Sequence, residues 1–148
     1  MARKKILCVC AGNTCRSPML AALLQDAFDR LGKKYKTESA GYTDEAFEHK
    51  RAAPEWEVVR RRGETTIDLR EHVARHVSEI GDLSRFSLIL GLSPRAKEAL
   101  IERGVVPRRI RVVNAPDGVP DPYGLGQKVY DECFKTLHSA VKDLVRYL

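Results

Sequence analysis

The sequence predicts an α/β fold: a four-stranded parallel sheet with helices on both faces, built by one domain over residues 1–148. Short apolar runs rich in β-branched residues alternate with segments of helical periodicity along the whole chain, and that alternation builds parallel sheets through crossover connections. The length suits one substantial core. No internal repeat, low-complexity tract or linker interrupts it.

Taken in order, Lys5-Ile6-Leu7-Cys8-Val9 reads as a buried strand. Ser17-Pro18 then opens a helix, with Ser17 suited to the N-cap and Pro18 to the first helical position. Met19, Leu20, Leu23, Leu24, Ala27, Phe28 and Leu31 follow at helical spacing. Tyr35–Ala40 is the second strand, ending at Gly41, and the polar, poorly periodic stretch 42–54 reads as a long loop. Glu55–Arg62 is a helix with Trp56 and Val59 on one side and Gly63 as its stop. Phe86–Leu92 is the third strand, after which Ser93-Pro94 caps a helix running through Arg103 to Gly104. Ile110–Val113 is a short fourth strand. A loop rich in Pro, Gly and Asp covers 114–126, and a final amphipathic helix carries Val129, Cys133, Leu137, Val141, Leu144 and Val145.

The composition, 43% hydrophobic and 31% charged, is that of an ordinary globular protein, and no apolar run approaches membrane-spanning length. The basic start Arg3-Lys4-Lys5 is followed by too short an apolar run for a signal peptide. The net charge of +6 comes in clusters at 33–36, 60–62 and 108–111. With no aromatic interleaving and no nucleic-acid motif, these read as solvated ends and loops whose field draws anionic partners, not as a nucleic-acid surface. No membrane partner is expected, and the oligomeric state is left open. Four cysteines without a regular framework point to a reducing cytoplasm. No Cys/His cluster has the spacing of metal ligands, and no cofactor is expected.

The chemistry concentrates in Cys10-Ala11-Gly12-Asn13-Thr14-Cys15-Arg16-Ser17-Pro18. A strand-loop-helix junction aims backbone amides and a positive helix end at one point, which is an anion site. Gly12 permits close backbone approach and Asn13 tolerates left-handed geometry. Arg16 offers a planar fork for two phosphate oxygens. Cys10, beside that guanidinium at a helix N-terminus, is expected to sit as a thiolate aimed at phosphorus. The Cys-x5-Arg spacing alone is weak. A strand-end cysteine with Arg16 on a solvated helix face would also produce it, but the loop glycine and the cap residues are further requirements met together. Cleaving a phosphate ester also needs an acid for the leaving oxygen and a base for water. Asp121, between Pro120 and Pro122, is the best candidate, with Asp117 before Gly118 as a competitor that also reads as a turn residue.

This loop resembles the phosphate loop of the low-molecular-weight protein tyrosine phosphatases, and the likeness continues at Ser39-Ala40-Gly41, at His72-Val73-Ala74-Arg75 and at Asp121-Pro122-Tyr123-Gly124. The resemblance implies flavodoxin-like strand order, which periodicity alone does not fix. It also implies Cys10 as nucleophile, Arg16 as phosphate ligand and Asp121 as acid-base, acting on a phosphorylated protein through a cysteinyl-phosphate. Ala11, Gly12, Asn13, Thr14, Cys15 and Tyr123 would contact substrate. Asn13, Ser39 and His72 would brace the loop, although from the residues alone His72 reads as exposed near a helix start. Ser17 can donate to the Cys10 thiolate, cap the helix, or do both. Cys15 is either a partner for a reversible Cys10–Cys15 disulfide or a packed small residue. Cys8 and Cys133 read as core residues, and the cysteine-free stretch 16–132 argues against a thiol-relay arsenate reductase. Three departures from the tyrosine phosphatase pattern bear on substrate: Thr14 where a bulky aliphatic residue is usual, Gly124 directly after Tyr123 where another Tyr is common, and a wall loop in which Tyr42 and Phe47 are the aromatic candidates; Ser93 also stands where an Asp is usual. Thr14 is shared with members that act on phosphoarginine, so a protein arginine phosphatase is the alternative within the class. A non-hydrolytic phosphate-binding or phosphocarrier module is the alternative outside it.

Overall fold

The computed structural model describes residues 4–148, so Arg3 of the basic start lies outside the described residues. Strands β1 (Lys4–Cys10), β2 (Tyr35–Gly41), β3 (Leu88–Gly91) and β4 (Ile110–Val112) form one sheet in the order β2-β1-β3-β4. All three pairings are parallel. This is the flavodoxin-like order, and β1 sits at the point where the order reverses, which is where such sheets bind ligands.

Alternation along β1 divides the core. Ile6, Cys8 and Cys10 face the helices α1 (Arg16–Leu31), α2 (Glu55–Arg61) and α4 (Gln127–Arg146). Leu7 and Val9 face the other way, toward Ala96 and Leu100 of α3 (Pro94–Glu102). Both faces are covered, so β1 is apolar throughout its inner length, as a central parallel strand must be. Burying one side chain such as Leu20 or Phe28, both fully enclosed, stabilises the fold by roughly 1.5–3 kcal/mol.

Most element boundaries fall within two residues of the sequence reading. Two differences are physical. The segment 42–54 is not featureless: Asp44–Glu48 forms a 3-10 turn that packs beside Gly12, where a Cβ would approach Glu45 Oε2 to 3.1 Å. The first helix begins at Arg16, not after Ser17. Its N-cap is Cys15, whose carbonyl takes the Met19 N–H at 3.3 Å, and no side chain caps it. The Ser17 hydroxyl is engaged elsewhere, as described below. By contrast, Ser93 caps α3 as expected, its Oγ accepting from Ala96 N–H at 3.1 Å.

Candidate active site

The loop from Cys10 to Arg16 leaves the carboxyl end of β1 and enters α1 with its carbonyls turned outward. The Cys10 and Ala11 carbonyls accept from the amides of Tyr42 and Thr43, both at 3.1 Å, and Ala11 also accepts from the Thr43 hydroxyl at 3.0 Å. The Asn13 carbonyl accepts from His72 Nε2 at 2.7 Å, and that of Thr14 from Ala53 N–H at 3.0 Å. With the carbonyls of Cys10, Ala11, Asn13 and Thr14 held by the surrounding segments, the loop's own amides at Gly12, Asn13, Thr14 and Cys15 stay available. Among the described residues they donate to no protein group. A ring of inward amides at a helix N-terminus is an oxyanion cradle. Gly41 lets the neighbouring strand end come close, since a Cβ there would lie 2.5 Å from the Ala11 carbonyl oxygen.

Asn13 holds that shape. It is fully buried, with φ of 60°, in the left-handed region as the sequence suggests. Its Nδ2 donates to Ser17 Oγ at 2.8 Å and Ser39 Oγ at 3.0 Å, while Oδ1 accepts the Arg75 N–H at 3.0 Å. Because Ser17 Oγ accepts from Asn13, its own hydrogen is left for Cys10 Sγ, 2.9 Å away. The alternative acceptor, the Ala40 carbonyl, is farther at 3.5 Å. Ser17 is therefore a partner of the cysteine sulfur and not a helix cap. Burial lowers the tendency of His72 to protonate, and its contact with the Asn13 carbonyl requires hydrogen on Nε2.

Sequence reasoning missed the layer behind Asn13. Arg75 Nε donates to the Ser39 carbonyl at 3.0 Å and its Nη2 to Glu38 at 2.8 Å, while its carbonyl takes the Gly41 N–H at 2.8 Å. Burial opposes ionisation of Glu38, yet hydrogen bonds from Arg75 and Arg85 outweigh it and hold the carboxyl below its usual range. Arg75 lies in a stretch already singled out, but one sequence gives no sign that it reaches across to β2.

Arg16 is nearly enclosed, at 6% exposure. Nη1 donates to the Val119 carbonyl at 2.9 Å, and Nη2 lies 3.6 Å from Asp121 Oδ2. Nε is buried and has no partner. With Nη1 tied back, the Nε–Nη2 edge, whose Nη2 faces Asp121 at 3.6 Å, has the geometry to take an oxyanion in bidentate fashion. Asp121 accepts the Tyr123 N–H at 3.1 Å and is half exposed, so it stands at the mouth of the cradle. Asp117 lies instead on an exposed turn closed by the Gly118 N–H on the Asn114 carbonyl. Beside Thr14 a cleft of about 450 Å³ is lined by Lys50, Arg51, Glu55, Tyr123 and Gly124.

All four cysteines are unpaired and buried. Burial pushes the Cys15 and Cys133 thiols up to about 12 and the Cys8 thiol higher still. Two of the sulfurs meet a buried hydroxyl: Cys10 Sγ lies 2.9 Å from Ser17 Oγ, and Cys15 Sγ lies 3.8 Å from Thr14 Oγ1.

The family model of the low molecular weight phosphotyrosine protein phosphatases matches residues 5–148. The chain belongs to that family. It is 30% identical over 150 residues to the low molecular weight protein-tyrosine-phosphatase YfkJ of Bacillus subtilis, covering 95% of this chain and 92% of that protein. The crystal structure of a low molecular weight protein tyrosine phosphatase from T. tengcongensis superposes with a TM-score of 0.86 at 30% identity, over 98% and 99% of the two chains. The YwlE arginine phosphatase of Bacillus subtilis, in a cysteine-to-serine mutant with a phosphorylated active site serine, superposes with a TM-score of 0.81 at 25% identity, over 97% and 95%. The chain is thus a phosphoprotein phosphatase of the low molecular weight protein tyrosine phosphatase type. Among the described residues no helix is long and apolar enough to cross a membrane.

The Asn13 knot has a stability consequence. Asn13→Ala leaves the Arg75 amide without its acceptor and puts a Cβ residue into a left-handed site without local hydrogen bonds. Unfolding should be easier by about 2–4 kcal/mol, read from denaturant midpoints. Asn13→Gly should recover the backbone part only. A loss under about 1 kcal/mol for Asn13→Ala would contradict the reading of these bonds as buried and satisfied.

Proposed function

We propose that the protein hydrolyses phosphotyrosine in proteins through a cysteinyl-phosphate on Cys10. The observation that carries this reading is the 2.9 Å contact of Cys10 Sγ with Ser17 Oγ at the floor of the inward amide ring. A thiolate there accepts the Ser17 hydrogen bond and faces a phosphoryl group whose oxygens meet the loop amides and the Nε–Nη2 edge of Arg16. The sulfur attacks phosphorus, the ester P–O bond breaks, and Asp121 gives its proton to the departing phenol oxygen. The Asp121 carboxylate then takes a proton from water, whose oxygen attacks phosphorus as the S–P bond breaks, releasing inorganic phosphate and the thiolate. The phosphorylated serine of the YwlE mutant supports the same assignment of the nucleophile's position.

In this reading Ala11, Gly12, Asn13, Thr14 and Cys15 hold the phosphoryl oxygens through their backbone. Tyr123, half exposed with Lys50 Nζ 5.5 Å from its ring centre, forms the aromatic wall against which a substrate ring packs. Ser17, Ser39 and His72 act by fixing Asn13 and the sulfur. Cys15, a buried thiol protonated at neutral pH, has little nucleophilic character. That favours its packing role over exchange with Cys10. Unpaired thiols suit a reducing cytoplasm.

Thr14 favours a second reading, phosphoarginine as substrate. The residue borders the cleft, and its hydroxyl, 3.8 Å from Cys15 Sγ, offers a polar contact that a guanidinium can use and a phenol cannot. Charge on the cleft wall does not decide between the two, because Lys50 is paired with Glu48 at 2.9 Å and Glu55 lines the same wall. Comparing kcat/KM on phosphotyrosine and phosphoarginine peptides decides. The tyrosine peptide should be preferred, and Thr14→Ile should sharpen that preference by roughly tenfold through added apolar contact. Preference for phosphoarginine that Thr14→Ile reverses would overturn the tyrosine assignment.

A further inference from the structure

The three basic clusters are not alike once folded. Arg60, Arg61 and Arg62 each meet a carboxylate, those of Asp68, Glu57 and Asp131. Arg103, Arg108 and Arg109 meet none among the described residues. These three border one groove of about 500 Å³, whose lining also includes Leu83, Val105 and Val106. The only acid in that lining is Asp82. Its carboxylate accepts the Ser84 N–H at 2.9 Å and is held below its usual range by hydrogen bonds from Ser84. Arg109 is fixed across the groove by donating Nη1 to the Ser84 carbonyl at 3.0 Å. Val106 is 44% exposed although apolar.

Guanidinium groups without carboxylate partners, set beside the half-buried Val105 and the exposed Val106, have a definite complement. We propose that this groove docks an acidic polypeptide segment carrying an aliphatic residue, the carboxylates on Arg103 and Arg108 and the aliphatic side chain over Val105 and Val106. No aromatic ring lines it, so it lacks the stacking platform by which single-stranded nucleic acid is held. The site is separate from the cradle. Arg109 directly precedes β4, so it lies at the amino ends of strands whose carboxyl ends carry the phosphate loop. A docked segment therefore leaves the cradle open, and the proposal does not depend on which phosphoamino acid is the substrate.

The test is fluorescence anisotropy of an unphosphorylated, labelled peptide of alternating Glu and Asp around a central Leu, with the full chain at low salt. Binding should weaken with added salt, and by about tenfold in the Arg103→Ala/Arg108→Ala double variant. Val106→Asp should weaken it by a similar factor, while saturating inorganic phosphate at matched ionic strength leaves it unchanged. Turnover of p-nitrophenyl phosphate should stay within about twofold in both variants, because neither site touches the cradle. No binding, binding insensitive to both variants, or binding abolished by phosphate would overturn the proposal. So would an oligonucleotide or an anionic vesicle that binds more tightly than the peptide and is lost in the same variants.

Discussion

Cys10→Ser is expected to abolish steady turnover of p-nitrophenyl phosphate, by on the order of 10⁴–10⁶-fold, because the reaction then lacks an ionised nucleophile. A serine hydroxyl keeps its proton at neutral pH. The amide ring and the helix end stabilise an anion, but not enough to make an alkoxide of it. The fold should be nearly unaffected, since a hydroxyl at that position still meets Ser17 Oγ, which lies 2.9 Å from the sulfur. Binding of inorganic phosphate should survive, because the loop amides and Arg16 remain. The combination matters: turnover lost with binding kept separates a nucleophile from a structural cysteine. Residual turnover above about 1% of the native rate would place the nucleophile elsewhere. Steady turnover in the native chain also excludes the non-hydrolytic carrier, which has no use for Asp121.

Asp121→Asn should be the second largest loss, about 10²–10⁴-fold on phenyl phosphate, the range for removing a positioned general acid. In kcat/KM, which reports formation of the phosphoenzyme and not its breakdown, the loss should shrink on p-nitrophenyl phosphate, whose leaving group departs without needing the proton. This dependence on leaving group is the diagnostic, because a merely structural role would slow both substrates alike. Stability should change little: the Arg16–Asp121 pair is 3.6 Å apart and half exposed on the Asp side, and such pairs contribute about 0–1 kcal/mol. Asp117→Asn, on its exposed turn, should leave both rates near the native values. Equal losses on the two esters would remove Asp121 from the acid-base role.

How much of this site could be read from the chain follows from the range of each interaction. The strand, loop and first helix are local, so Cys10, Arg16 and the left-handed Asn13 were legible from residue type and spacing. The alternation of elements gave the sheet and its two helical layers, while strand order needed the family likeness. Ser17 was legible as a hydroxyl before a proline, but such a residue reads first as a cap. Its engagement by Cys10 and Asn13 depends on how tightly the loop curls. The tether of Arg16 to the Val119 carbonyl joins residues 103 positions apart, and the reach of Arg75 to Glu38 crosses 37. Neither leaves a periodicity or a motif. The same holds for the basic runs, where sequence could not say that 60–62 find carboxylates and that Arg108 and Arg109 do not.

The central claim is that a phosphoryl group passes through the sulfur of Cys10. The most direct measurement is rapid quenching of the Asp121→Asn variant during turnover of p-nitrophenyl phosphate, followed by mass spectrometry of the intact chain and its peptides. With formation fast and the water-activating base gone, the phosphoenzyme should accumulate. The mass gain of one phosphoryl group should map to Cys10 and vanish in Cys10→Ser/Asp121→Asn. Turnover with no phosphoryl group on the chain, or one on any other residue, would contradict the account.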